Sequence, residues 1–313
     1  MAPLPGLPPK PPFNAAQFAY SGSYDHVRFL AEFHQRFATR GMADTTDADV
    51  LALLGFIETD TDIADLRWTA YLLATGFWEG RSLTKEAQVV HDKHGKPRVD
   101  RSGKTMTRTV HKWRVMQPTE EIGHGRHRAY HEPVKTVLQT DGTILVTEHD
   151  GDQFTVNVAG HYKPMGKARR GAVDGGPPAK TYLHAKGGEH SYFGRGYVQL
   201  TWWDNYLRAS VELGRTTEFL MDPDRVEDPA TAYKIMSHGM RTGTIFANGR
   251  KLADYFTGTR SDYVGARAMV NGVDHNDEIA AIAEKFEAAL LASRVGAVLP
   301  VPAPPPLPGV RLP

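Results

Sequence analysis

The stretch "DIADLRWTAYLLATGFWEG", residues 62–80, decides how this chain is read. It is a mostly apolar helical run that opens among acidic cap candidates and stops at Gly80, a natural helix end. Glu79 comes just before that stop, flanked by Phe77 and Trp78. A carboxylate in such surroundings is desolvated, and desolvation raises its pKa. A raised pKa lets a glutamate hold a proton near neutral pH and donate it, as a glycosidic general acid must. A helix-end glutamate pointing into water is the other reading of the same residues.

Working outward, the pattern stays mainly helical. "YDHVRFLAEFHQRFA" (24–38) puts Val27, Leu30, Phe33 and Phe37 at helical spacing, and "DADVLALLGFIETD" (47–60) follows. "DPATAYKIMSHGMRTG" (228–243) and "SDYVGARAMV" (261–270) also read as helices. A last helix over 276–294 places Ile279, Ile282, Phe286 and Leu290 on one face, with Asn276 as its N-cap. Two segments break the pattern. Residues 85–115 hold nine Lys or Arg against three Asp or Glu, with a hairpin signal at Ser102-Gly103. Residues 136–158 alternate apolar and polar side chains around two Asp-Gly turns, which predicts a three-stranded meander. The expected fold is mainly α, with a helical body carrying two β insertions, at 85–115 and 134–185.

Composition narrows the classes. The chain has 313 residues, 37 Lys plus Arg against 36 Asp plus Glu, and no cysteine. Net charge therefore names no partner, and a disulfide-stapled scaffold is excluded. No apolar run reaches the length of a membrane-spanning helix. The N-terminus, "MAPLPGLPPKPPF", is proline-rich and lacks the apolar core of a secretory signal. The C-terminus, "VLPVPAPPPLPGVRLP" (298–313), is proline-rich too. The domain organisation expected is an N-terminal arm over 1–20, one domain over 21–295 and a tail over 296–313. The two ends read as disordered tails or as docking arms for a larger assembly.

Two further stretches carry chemistry. "VMQPTEEIGHG" (115–125) offers Glu120 and Glu121 after Pro118. Adjacent helical residues point about 100° apart, so only one of the two can share a cleft with Glu79. A solvated acidic first turn is the plainer reading. "YFGRGYVQLTWWDNY" (192–206) gathers aromatic rings with Arg195, Gln199, Thr201 and Asn205. Flat rings beside amides and hydroxyls suit a sugar, with its apolar faces and hydroxyl rim.

Taken in order, four segments resemble glycoside hydrolase family 19, the chitinases and related phage and bacterial peptidoglycan hydrolases. They are "LLGFIETDTDIADLRWTAYLLATGFWEG" (53–80), "MQPTEEIG" (116–123), "YFGRGYVQLTWWDNY" (192–206) and "GARAMVNGVDHNDEIA" (265–280). The resemblance implies a lysozyme-like domain cleaving β-1,4 bonds between amino sugars by an inverting mechanism. It implies Glu79 as general acid and Glu121 as general base, with Glu120 as the fallback, and Thr201 holding the attacking water. Inversion needs room for that water, with the carboxyl groups about 6.5–9.5 Å apart. Gln199, Asn205 and Asn271 would bind sugar hydroxyls and acetamides, and Tyr192 and Trp202 would stack on rings. Arg195 and Arg267 would organise the cleft, with Arg267 a candidate to pair with a carboxylate. The resemblance implies no metal and no cofactor.

The chain departs from that family where Trp78 replaces the usual histidine before the catalytic glutamate, and where the basic insertion separates Glu79 from Glu121. The lack of plant-type disulfides places it with the phage and bacterial branch. Peptidoglycan is then the expected substrate and chitin the alternative. A non-catalytic structural or wall-binding component of a phage particle or injection device is the rival class. The expected setting is synthesis in the cytoplasm and action on the cell wall after lysis or within a particle. Virion or injection-device proteins are then candidate partners through the proline-rich ends. His124, His127 and His131 in "HGRHRAYH" read as a basic loop rather than a zinc site. The basic 85–115 segment lacks a nucleic-acid motif, so neither nucleic acid nor membrane insertion is expected.

Overall fold

A computed structural model of the chain describes residues 18–19, 22–157 and 187–295. The expected arm over 1–20 lies almost wholly outside the described residues. So do the tail over 296–313 and the later part of the second insertion, from 158 onward.

The helical body begins with α1 (His26–Arg36), α2 (Thr46–Glu58) and α3 (Leu66–Glu79). α3 starts where the Asp65 side chain accepts the Arg67 amide, and it stops where Gly80 N–H donates to the Gly76 carbonyl. Gly80 is needed for space. A Cβ there would lie 2.6 Å from the carbonyl oxygens of both Gln117 and Gly76. All of α3 from Leu66 to Phe77 except Trp68 is buried, as expected of a helix that is apolar on every side. α9 (Asn276–Ser293) packs along α3, and α1 packs on α9. Phe33, Phe37, Phe77 and Phe286 meet at the junction with ring centroids 4.7–6.4 Å apart.

Two local expectations need correction. On α1 the inward face is Phe29 and Phe33, continued by Phe37, while Val27 is 82% exposed. The N-cap of α9 is His275, in a left-handed conformation, and Asn276 is the first helical residue.

The basic insertion is a hairpin of β1 (Ser82–Val89) and β2 (Thr107–Arg114), paired from Ser82 opposite Arg114 to Val89 opposite Thr107. Beyond Val89 the chain turns twice, at Asp92–Gly95 and at Asp100–Gly103, the second being the turn read at Ser102-Gly103. The base is clamped to the body. Arg114 bonds Asp49 of α2 at 2.9 Å, and Trp113 exchanges backbone bonds with Gly41 and Ala43.

The meander forms as β3 (Val134–Leu138), β4 (Thr143–Thr147) and β5 (Gln153–Asn157), and it gains a fourth strand, β6 (Gly187–His190). The antiparallel sheet runs β5-β4-β3-β6. Its inward side chains Val134, Ile144, Val146 and Val156 belong to the main core. Trp203 stacks on Phe154 at 6.0 Å, joining the sheet to α4 (Trp203–Glu212). The remaining helices are α5 (Glu218–Met221), α6 (Pro229–Thr242), α7 (Leu252–Tyr255) and α8 (Tyr263–Ala266). A small ladder, β7 (Phe256–Thr257) with β8 (Arg260–Ser261), lies between α7 and α8.

The expectation of a mainly α, lysozyme-like fold is therefore corrected. Among the described residues, 42% are helical and 20% are in strands, which form three small sheets, a mixed α and β architecture. The physical reason lies in the second insertion. Its apolar face is buried against the helices, and β6 makes it continuous with the segment that follows. Among the described residues, no helix is long and apolar enough to cross a membrane.

Candidate active site

β6 delivers the chain into residues 191–202, which cross the molecule and face the C-terminal end of α3. Between them lies a cleft of about 590 Å³. Glu79, Glu121, Gln199, Thr201, Trp202, Asn205 and Asn271 all line it. Arg128, Tyr130, Phe246 and Asn248 complete much of the wall. The two carboxylates meet because the hairpin returns to its starting point. Ser82 pairs with Arg114, and Gln117 N–H donates to the Gly80 carbonyl. Some thirty intervening residues thus leave the ends of the connection adjacent.

Glu79 is held by Arg267, whose Nη1 donates to Oε1 at 2.5 Å. The guanidinium is buried, its Nε donates to the Asp274 carbonyl, and the Glu79 side chain is 16% exposed at the cleft. Apolar rings are thus only part of the Glu79 environment. Oε1 is committed to a buried cation, and Oε2 has no hydrogen bond among the described residues. Trp78 does not line the cleft. It sits between the Arg81 guanidinium, 3.9 Å from its ring centroid, and His275 at 5.0 Å.

Glu121 is fixed from two sides. Tyr130 Oη donates to Oε1 at 2.7 Å, and Gly194 N–H donates to Oε2 at 3.1 Å. The Glu121 amide in turn donates to the Gly194 carbonyl. Donors therefore face both oxygens, which suits an acceptor-only carboxylate. Burial, and then the bond to Glu121, pushes the Tyr130 hydroxyl well above the usual tyrosine range, so it remains a donor. Gly194 is closely packed. A Cβ would come within 2.8 Å of Gln199 Oε1 and 3.3 Å of Glu121 Cβ. Glu120 is absent from the cleft lining and bonds His124 at 2.9 Å.

The polar residues divide by what already binds them. Gln199 Nε2 donates to the carbonyls of Thr119 and Gly196, tying the Glu121 segment to the opposite wall. Asn205 Nδ2 donates to the Thr201 carbonyl. Asn271 and the Thr201 hydroxyl make no side-chain hydrogen bond among the described residues, so both can serve a ligand. Trp202 presents its ring edge-on to Tyr130 at 5.4 Å. Gln199, Trp202 and Asn248 all have positive φ, at 50°, 72° and 51°. Backbone strain of this kind costs about 1–3 kcal/mol per residue and collects at ligand sites.

Two expected cleft residues lie in the interior instead. Tyr192 is fully buried, donates its hydroxyl to the Leu220 carbonyl and packs edge-on to Tyr206, so it offers no face to a sugar. Arg195 is also fully buried, bonding Asp224, the Ser191 carbonyl and the Tyr206 hydroxyl. It braces the cleft wall from behind. The rings of "YFGRGYVQLTWWDNY" thus divide between core and cleft, and only Trp202 reaches the cleft. Tyr130, Arg128 and Asn248 were not legible in the sequence. Tyr130 sits in the histidine-rich loop, where no local pattern separates a cleft residue from a solvated one. Among the described residues, no metal-type cluster includes His124, His127 or His131. No family model, curated protein or solved structure matches the chain.

Proposed function

We propose that the protein is a glycoside hydrolase of the family 19 type, cleaving β-1,4 bonds between amino sugars of peptidoglycan with inversion. One observation carries the reading. Two carboxylates from either side of the basic hairpin line a single cleft with a free amide, a free hydroxyl and an indole ring. Arg267 occupies Glu79 Oε1, so Oε2 is the atom open to take up a proton from solvent and pass it on. A protonated carboxyl can accept at one oxygen and donate from the other. As the bond from the anomeric carbon to the glycosidic oxygen breaks, that proton passes to the leaving oxygen. A water held by Thr201 attacks the anomeric carbon from the opposite face and yields its proton to Glu121. Solvent exchange then resets both carboxyls. Tyr130 and Gly194 keep Glu121 aimed, and Asn271 is free to bind an acetamide.

The test is digestion of purified peptidoglycan by the full chain. Mass spectrometry identifies the bond cut, and proton NMR reads the anomer first released. The expected first product is the α-anomer. Glu79→Gln and Glu121→Gln are expected to stay folded and lose about two to four orders of magnitude in turnover, the usual worth of general acid–base catalysis. Wild-type turnover by a folded Glu79→Gln, or a β-anomer as first product, would refute the mechanism. Absence of cleavage on every wall and chitin substrate would favour the non-catalytic wall-binding class.

A further inference from the structure

The basic hairpin is clamped at its base and projects from the body, and the chemistry of the cleft makes no use of its outer half. Residues 91–109 are exposed throughout. The hairpin's three acids are all engaged within the protein. Glu86 pairs with Lys112 at 2.9 Å. Asp92 accepts the amides of His94 and Lys96, and Asp100 accepts the amides of Ser102 and Lys104. Three of its cations are also engaged. Lys112 pairs with Asp44 and Glu86, Arg114 with Asp49, and Arg108 donates to Gln88. Lys85, Lys93, Lys96, Arg98, Arg101 and Lys104 form no ion pair among the described residues. On a protein of net charge +1, the outer hairpin, residues 91–109, carries six Lys or Arg against two Asp, a local excess of four positive charges on one protrusion.

We infer that this hairpin is a docking arm for a phosphodiester-linked anionic polymer of the cell wall, which it holds while the glycan enters the cleft. The inference rests on the glycosidase reading for its location but on charge for its chemistry. Unpaired lysines and arginines along an exposed ribbon recognise a chain of phosphates by neutralising them and releasing counterions. A single-stranded nucleic acid is the less favoured occupant, because its bases stack best on Phe, Tyr or Trp. Trp113, at the clamped base, is the only Phe, Tyr or Trp between residues 82 and 114. The placement suits a polymer tethered to the substrate. β1 begins three residues after Glu79, and β2 ends seven residues before Glu121, so the arm springs from the segments that carry both carboxylates.

The experiment is co-sedimentation of the full chain with two preparations of one wall. One retains its phosphodiester polymer, and the other has been stripped of it by hydrofluoric acid. The expected result is retention on the intact wall that salt reverses, and at least tenfold weaker retention on the stripped wall. The variant carrying Lys93→Gln, Lys96→Gln, Arg98→Gln, Arg101→Gln and Lys104→Gln is expected to bind both walls equally weakly and to cleave soluble glycan fragments at the wild-type rate. A single-stranded polyanion contributes about 0.7 to the salt slope per contact, so the five changes should lower that slope by up to about 3.5. Equal retention of the wild type on intact and stripped walls would overturn the inference without needing any variant. Wild-type retention by the fivefold variant would overturn it too. So would tighter binding to duplex or single-stranded DNA than to the intact wall. Cleavage without phosphate-dependent retention leaves the glycosidase reading standing. Phosphate-dependent retention without cleavage removes that reading and keeps the arm.

Discussion

Replacing Arg267 by leucine removes the cation that holds Glu79, and the cost can be worked from its contacts. Arg267 is 2% exposed and makes two bonds, one to Glu79 Oε1 and one to the Asp274 carbonyl. Losing the charge-assisted bond costs about 1.5–3 kcal/mol, and losing the bond to the carbonyl costs about 1. Breaking one side of a buried ion pair generally costs about 3–5 kcal/mol. Glu79 borders the open cleft, where water can replace part of what is lost, so the lower end applies and about 3 kcal/mol is expected. Glu79→Gln leaves an acceptor for Arg267 but removes its counter-charge, for an expected loss of about 1.5–3 kcal/mol. The double variant, Glu79→Gln with Arg267→Leu, has neither an unpaired cation nor an unpaired carboxylate. It should therefore lose clearly less than the sum of the two. Urea unfolding of the four proteins gives the coupling directly, with about 1.5 kcal/mol expected, inside the usual range for residues in contact. Additive losses within about 0.5 kcal/mol, the behaviour of independent sites, would mean that the pair is not energetically joined and that Glu79 is held by something else.

Gly194→Ala should cost about 1–3 kcal/mol, the usual penalty for overpacking. It should also lower turnover on glycan fragments, because the added methyl pushes on both Gln199 and Glu121; unchanged turnover and stability would show that the wall yields freely. Ile144→Ala, on β4, should destabilise the protein by about 2–5 kcal/mol. A loss under about 0.5 kcal/mol, typical of surface positions, would make the four-stranded sheet an appendage after all. Burial pushes Glu287 above the usual carboxylate range despite the hydrogen bond it accepts from Tyr263. The folded state thus favours its protonated form, a contribution that is full below the unfolded pKa and lost as pH rises through the folded one. Glu287→Gln keeps an acceptor for Tyr263 and does not titrate. In melting experiments it should be more stable than wild type near neutral pH, with the gap closing below about pH 4, under the ordinary glutamate pKa. A gap that widened in acid would reverse that sign.

Helix α3, its stop at Gly80, the hairpin turn at Ser102-Gly103 and the two Asp-Gly turns of the meander were legible in the residues themselves. Apolar periodicity, caps and turn chemistry act within a few positions, so the chain carries them wherever it folds. The sequence also brought Glu79, Glu121, Thr201 and Asn271 forward as polar groups worth placing. It misjudged what depended on depth. Tyr192 and Trp202 look alike along the chain, yet one is fully buried under α5 and the other lines the cleft. Val27 keeps the helical spacing of α1 and still points to water, because α9 packs against the Phe29–Phe33 side. The weight of β structure was misjudged for the same reason. An alternating strand is equally compatible with an ornament and with a layer of the core, and only the burial of Ile144 and Val146 against the helices distinguishes them. The site itself belongs to the tertiary structure. Arg267 reaches Glu79 across 188 residues, and Gly194 reaches Glu121 across 73. Contacts of that range leave no local signature, since they depend on how separately formed elements pack. Which of two adjacent glutamates faces the cleft is decided by that packing alone.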